Sequence, residues 1–243
     1  MGAFPKRVVI TGKTKYDQTY AEVSEEERAK LRREFRFEGK GPIIVAGSTH
    51  GGEEEIVVRT FGKVLEKYPD ARLLLAVREI TRAASVRFMI KHQGYTVLRR
   101  SKMGTDEDDG KGAQIVILDT IGELGRLYSL ADVVFVGGSF VKVGGHNILE
   151  PAAHGKPVLV GPYMFNFQEI FELLSLRGVC IMTPDEKSFE TTLLDLLGNP
   201  EKMKKMGEAA LEVVHENQGA TERNIASFEE LVKEYGIKLR ENA

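Results

Sequence analysis

Short runs of β-branched and aliphatic residues alternate with longer stretches of helical periodicity through nearly the whole chain, and few architectures accommodate that alternation. Each crossover helix must carry the chain back over its own sheet, which makes neighbouring strands parallel. Strands read at Arg7–Ile10, Pro42–Ala46, Arg72–Val77, Thr96–Leu98, Gln114–Leu118, Val133–Val136, Val158–Val160 and Cys180–Met182. Several lack polar alternation, as expected of strands covered on both faces. Helices read near Glu25–Phe35, Glu53–Lys67, Thr81–Gln93, Glu123–Leu130, Phe167–Leu176 and Lys187–Leu197, the first opened by a capping box of Ser24 and Glu27. From Glu201 to Tyr235 the pattern is two helices broken near Gln218-Gly219, with no further strand. The expected fold is a doubly wound, Rossmann-like parallel sheet.

The domain reading follows. Residues 1–20 read as the end of an interdomain linker and a first strand, and 21–243 as one doubly wound domain with C-terminal helices. Ser101–Gly112 is polar and glycine-punctuated, and reads as a mobile surface loop.

Composition removes several function classes. With 34 basic and 36 acidic side chains the chain has no cationic excess to neutralise a phosphate backbone, so no nucleic-acid partner is expected. Cys180 is the one cysteine, within an apolar run, and reads as a buried small hydrophobe. No run approaches the ~18 apolar residues of a bilayer span, and no apolar signal segment opens the sequence, so a cytoplasmic location is expected. Neither Gly-x-Gly-x-x-Gly after the first strand nor a P-loop is present. Asp106-Glu107-Asp108 imitates the Asp-x-Asp of metal-dependent glycosyltransferases but lies in the polar loop, and no other cluster has metal spacing, so no metal or cofactor is expected.

In open parallel sheets ligands collect at the carboxyl ends of the strands. Four loops there stand out. Gly47-Ser48-Thr49-His50-Gly51-Gly52-Glu53 joins an apolar strand to a helix, where small residues let amides approach an anion and His50 can add charge. Its acidic first turn, Glu53-Glu54-Glu55, reads as helix-dipole complementation. Gly137 to Pro151 carries two glycine pairs, making Gly138, Ser139 and Gly145 candidates for close backbone approach to a ligand. His146, Asn147 and Glu150 fall within about one helical turn, and an ionised Glu150 is suited to accept two ribose hydroxyls. Asp119–Leu124 and Val77-Arg78-Glu79 offer backbone groups to a base edge, with Arg78 as a stacking or charge partner.

Six stretches in this order carry a family resemblance: Thr11–Asp17 (Thr-Gly-x-x-Lys-Tyr-Asp), Ala46–Glu54 (Ala-Gly-Ser-Thr-His-x-Gly-Glu-Glu), Asp119–Leu124 (Asp-Thr-x-Gly-Glu-Leu), Val136–Ser139 (Val-Gly-Gly-Ser), Gly144–Pro151 (Gly-Gly-His-Asn-x-Leu-Glu-Pro) and Gly161–Phe167 (Gly-Pro-x-x-Phe-Asn-Phe). From Thr11 to about Thr221 the chain resembles the bacterial transferases that attach 3-deoxy-D-manno-octulosonic acid (Kdo) to the lipid A precursor.

The resemblance implies the C-terminal half of a GT-B glycosyltransferase in lipopolysaccharide biosynthesis. Asn147, Ile148, Leu149 and Glu150 would bind the CMP of the donor CMP-Kdo, with Val77, Arg78, Ile121, Gly122 and Glu123. His50 would stabilise the transition state without a metal, since loss of CMP from an anomeric carbon leaves charge on phosphate. The base that deprotonates the acceptor, the lipid A precursor site and the contact with the cytoplasmic face of the inner membrane would belong to an N-terminal domain this chain lacks. Alone, the chain is expected to bind CMP and not to transfer sugar. Where the family usually has Pro-Arg-His-x-Glu-Arg, this chain has Val77-Arg78-Glu79-Ile80-Thr81-Arg82, keeping both arginines. Two alternatives stand beside this one: half of another GT-B enzyme using a UDP- or GDP-sugar, and a non-catalytic nucleotide-sugar sensing module.

Overall fold

The centre of the molecule is set by its least polar strands. In the computed structural model, which describes residues 8–18, 20, 22–105 and 111–235, β1 (Ile43–Thr49), β2 (Arg72–Val77), β3 (Val97–Arg99), β4 (Ile115–Leu118), β5 (Val133–Val136), β6 (Val158–Val160) and β7 (Cys180–Met182) form one sheet. Its order is β3-β4-β2-β1-β5-β6-β7, and every pairing is parallel. The doubly wound expectation therefore holds. All four residues of β4 and of β5 are buried, so these strands have helices on both faces and need no polar side.

The chain winds outward from β1 in one direction and then, after β4, returns to lay β5 on the other side of β1. That reversal opens a crevice between the loops that follow β1 and β5, where an open parallel sheet offers its ligand site. The helices are α1 (Glu25–Glu34), α2 (Glu53–Lys67), α3 (Ala83–His92), α4 (Leu124–Leu127), α5 (Leu149–Ala153), α6 (Gln168–Leu176), α7 (Glu186–Leu197), α8 (Pro200–Asn217) and α9 (Ala220–Glu234). The capping box opens α1, with Ser24 Oγ accepting from Glu27 N and Glu27 Oε2 accepting from Ser24 N. Val57, Val58, Phe61 and Val64 recur at helical spacing along α2 and are all buried. They hold α2 to the sheet, which fixes where its first residue sits.

The chain divides into two compact units, Tyr20–Leu211 with the sheet, and Met1–Thr19 together with Glu212–Ala243. In the second, Asp17 accepts hydrogen bonds from the amides of Gly219 (2.6 Å) and Thr221 (2.5 Å), capping the start of α9. Those bonds, led by that from the Thr221 side chain, hold the Asp17 carboxyl below its ordinary range.

Three sequence expectations change. The first strand does not form within residues 8–10: Val8, Val9 and Ile10 are 57%, 69% and 92% exposed and pair with no sheet edge, so β-propensity without a partner strand came to nothing. Arg7 lies outside the described residues. The loop expected to be mobile from Ser101 is tied at its start, because Ser101 N and Oγ both donate to Asp119; residues 106–110 lie outside the described residues. The helix expected to carry His146 to Glu150 begins only at Leu149.

Candidate functional site

The loop after β1 enters the crevice through a kink. Pairing with β2 shifts register between Ala46 and Thr49, and Ser48 between them has φ 56°, a left-handed conformation unusual for a residue with a side chain. The kink ends at His50, whose ring meets that of His146 from the loop after β5. The two Nε2 atoms are 2.8 Å apart, the ring planes differ by 1° and the centroids lie 5.1 Å apart. Because the centroids are farther apart than the nitrogens by the depth of both rings, the contact is an in-plane N–H···N hydrogen bond and not a face-to-face stack. One ring must donate and the other accept. Burial, the neighbouring His50 and the charge of Arg78 push the His146 pKa down to about 4 and keep its ring neutral near pH 7.

Beneath the pair lies Glu53, the first residue of α2 and fully buried. Its Oε2 accepts from the amides of His50 (2.9 Å) and Gly138 (2.7 Å), and its Oε1 from those of Ser139 (2.9 Å) and Phe140 (2.8 Å). The sequence reading assigned this carboxylate to the helix dipole and missed that it bridges two loops. The signal available was a glutamate placed directly after a glycine turn and opposite a second glycine-rich loop.

That finding corrects the reading of the glycine pairs. Gly138 and Ser139 do not offer amides to a ligand, since Glu53 takes both. Ser139 Oγ is spent as well, donating to Val136 O and accepting from Gly161 N. A Cβ on Gly137 would stand 2.6 Å from Ser48 O and 2.8 Å from Glu53 Oε2, so glycine is required there by the neighbouring loop. Gly145 is likewise occupied: its amide donates to Gly138 O at 2.8 Å, and a Cβ there would meet Met164 Sδ at 2.4 Å.

The segment from His146 to Glu150 divides in the same way. Ile148 and Leu149 bury their side chains in the core, and Leu149 N donates to Asn147 Oδ1 at 3.0 Å, so Leu149 has no group left for a ligand. Among the described residues nothing accepts from the amides of His146, Asn147 and Ile148. Glu150 is half-buried and keeps acceptor capacity beyond a long 3.4 Å contact from Asn147 Nδ2; burial raises its pKa against that hydrogen bond.

Val77, Arg78, Ile121 and Gly122, chosen from the sequence as base contacts, come together with Ser48, Ala76, Ile80, Leu118, Thr120 and Leu124 around a cavity of about 150 Å³ at the ends of β1, β2 and β4. Val77 is buried, Arg78 is exposed, and Ile121 is 87% exposed at the rim. Gly122 holds φ 85°. Glu123 stands apart from them, because its carboxylate is bound by Arg100, Arg126 and Thr120. The Arg100 bonds, outweighing burial, bring its pKa down to about 2. Arg82, the second arginine of the departing motif, is a buttress: it forms a 2.8 Å ion pair with the buried Glu54.

Size alone would point elsewhere. A groove of about 930 Å³ runs along the edge strand β7 between α6 and α8, lined by Arg177, Lys202, Lys205 and Met206, and none of the candidate residues touches it. Among the described residues no group of three or more His, Cys, Asp or Glu side chains is placed to hold a metal ion; Asp106–Asp108 lie outside them.

Comparison with known proteins gives the family. Residues 105–213 match the model of glycosyl transferases group 1. The chain is 37% identical over 222 residues to the 3-deoxy-D-manno-octulosonic acid transferase of Haemophilus influenzae, covering 90% of this chain and 51% of that protein. It is 31% identical over 226 residues to the transferase of the same description from Bordetella pertussis, covering 91% and 51%. The chain thus spans about half the length of these curated relatives. The C-terminal CMP-Kdo binding domain of WaaA from Acinetobacter baumannii superposes with a TM-score of 0.69 at 27% identity, over 78% of this chain and 96% of that one. This chain belongs to the Kdo transferase family of glycosyltransferases, of which it has the C-terminal domain.

Proposed function

We propose that this chain is the donor side of an inverting, GT-B Kdo transferase, holding CMP-Kdo while a separate N-terminal domain presents the lipid A precursor. One observation carries the reading. Among the described residues at the carboxyl edge of the sheet, nothing accepts from the amides of His146 to Ile148, Glu150 keeps acceptor capacity, and a cavity lies beside Arg78. They are what a nucleoside monophosphate needs.

In this reading the 150 Å³ cavity takes the base, with Val77 below it, the Ile121-Gly122 backbone at its rim and Arg78 over its face. Glu150 accepts ribose hydroxyls. The free amides and the His50 ring face the phosphate. Departure of CMP from the anomeric carbon concentrates negative charge on that phosphate, and donors fixed in place before the reaction stabilise it at no reorganisation cost. These groups, in place of a metal ion, meet the leaving charge. The acceptor hydroxyl must lose a proton to a base, and that base is proposed to lie in the N-terminal domain. Among the described residues no helix is long and apolar enough to cross a membrane, so contact with the inner membrane is assigned to the longer protein.

Calorimetric titration of the chain with CMP and with UMP, each with and without a chelator, tests the proposal. CMP is expected to bind more tightly and to ignore the chelator, and no sugar transfer is expected from the chain alone. Preference for UMP would move the chain to a UDP-sugar enzyme, and absence of binding to either would remove the nucleotide reading.

A further inference from the structure

Glu53 is a buried acid with no cation against it among the described residues. A buried carboxylate is costly unless its lone pairs are met, and here each oxygen accepts two amide N–H groups. All four lone pairs of the carboxyl group are thereby met by amides. The four amides come from two loops: one carries His50, and the other runs through Gly138, Ser139 and Phe140 into the segment that carries His146. Capping α2 would need only amides of its own first turn. Three of these four lie 85 to 87 residues away in sequence.

Directly above, the His50 and His146 rings meet edge to edge. The approach needs the loops at this separation: a Cβ on Gly138 would already stand 3.0 Å from His146 Cδ2. Whichever Nε2 carries the shared proton, the bond holds the His50 ring in one plane and ties its tautomer to that of His146. We propose that Glu53 and His146 are positioning residues for His50, Glu53 fixing the backbone on both sides of the crevice and His146 fixing the plane and tautomer of the ring. The inference rests on the donor-binding reading for its purpose.

Imidazole ¹⁵N spectra of the whole chain test it. In the wild type one of the two Nε2 atoms should carry the shared proton and the other should be bare, giving the two rings complementary tautomers. In His146→Phe, which keeps ring volume and removes the partner, the His50 tautomer should redistribute; in His146→Gln, which restores a hydrogen-bonding partner, it should return. In Glu53→Gln, which keeps shape but presents an NH₂ to two of the amides, the two loops should shift and the His50 tautomer should redistribute as it does in His146→Phe. An unchanged His50 tautomer in His146→Phe, or in folded Glu53→Gln, would overturn the proposal. Should Glu53→Gln not fold, wild-type hydrogen exchange decides: the amides of His50, Gly138, Ser139 and Phe140, all four in loops, should be protected together, and rapid exchange at Gly138 and Ser139 would refute the clamp.

CMP titration of the same samples separates this inference from the proposed function. His50→Ala and His146→Phe should weaken CMP by similar factors, and the double variant no further. Additive losses would count against His146 acting through His50. Absence of CMP binding to the wild type with the ring assignments intact would instead sink the nucleotide reading.

Discussion

After β1 and β5 the loops spend their polar groups on each other, whereas after β2 and β4 they line a hollow of about 150 Å³. Both pairs of loops stand at the same edge of one sheet, and both are rich in residues that a sequence reader marks for ligand binding. The difference is in what remains unsatisfied. Gly138, Ser139 and Gly145 are committed to Glu53, Gly161 and Gly138 O, so they build the wall. Val77, Arg78, Ile121 and Gly122 line open space, and His146 to Ile148 keep free amides, so these are the groups left to meet a guest. A glycine-rich motif marks close approach of a backbone, and only the hydrogen-bond ledger says whether the approaching party is protein or ligand.

The sharpest way to break this contrast is to empty the committed side. Glu53→Ala leaves four amide donors without an acceptor, each costing roughly 1–3 kcal/mol if unmet; with water recovering part of that, a loss of about 4 kcal/mol is expected in urea unfolding. A loss under ~1 kcal/mol would mean the clamp bears little of the fold. On the open side, Glu150→Ala should leave urea unfolding nearly unchanged and weaken CMP by ten- to a hundred-fold, or roughly 1.5–3 kcal/mol. Wild-type affinity in a folded Glu150→Ala would reduce Glu150 to part of the wall.

Acid sharpens the comparison next. The His146 pKa is lowered to about 4 on folding, so between that value and the ~6.5 of an unfolded histidine the unfolded chain binds the extra proton. The stabilisation is complete above about pH 6.5 and is lost as pH falls toward 4. Between pH 8 and 5 this ring should remove roughly 1–2 kcal/mol from the unfolding free energy, and His146→Phe should flatten that slope. The smallest effect is expected at the rim: Ile121→Ser, at a side chain 87% exposed, should change stability by less than about 0.5 kcal/mol and CMP affinity only a few-fold. A large fall in stability there would mean the rim is packed after all.

Most of the sheet was legible because buried parallel strands write themselves as uninterrupted apolar runs. Val133–Val136, Val158–Val160, Cys180–Met182 and Arg72–Val77 were read at the bounds the structure has. Val8 to Ile10 misled for the complementary reason: β-branched residues announce a strand, but only a free sheet edge makes one. In the site, the open residues around Arg78 were legible because their position after a strand suffices to place them. Glu53 was not. Its partners lie some 85 residues away, and local sequence cannot distinguish a glutamate that greets its own helix from one that reaches across a crevice. His146 was noticed as polar and near Asn147, but its pairing with His50 depends on two loops meeting across the β1–β5 junction, which only the topology creates.

The cap that Asp17 places on α9 joins residues 202 and 204 positions apart along the chain. Such a contact is slow to find, because the whole intervening stretch must be looped before it can close. During synthesis the segment around Asp17 emerges before Gly219 and Thr221 and waits for them. α9 is therefore expected to be the latest helix to acquire its stop at the front, and a chain halted before that moment should be cut by proteases first in the stretch around Thr11 to Asp17.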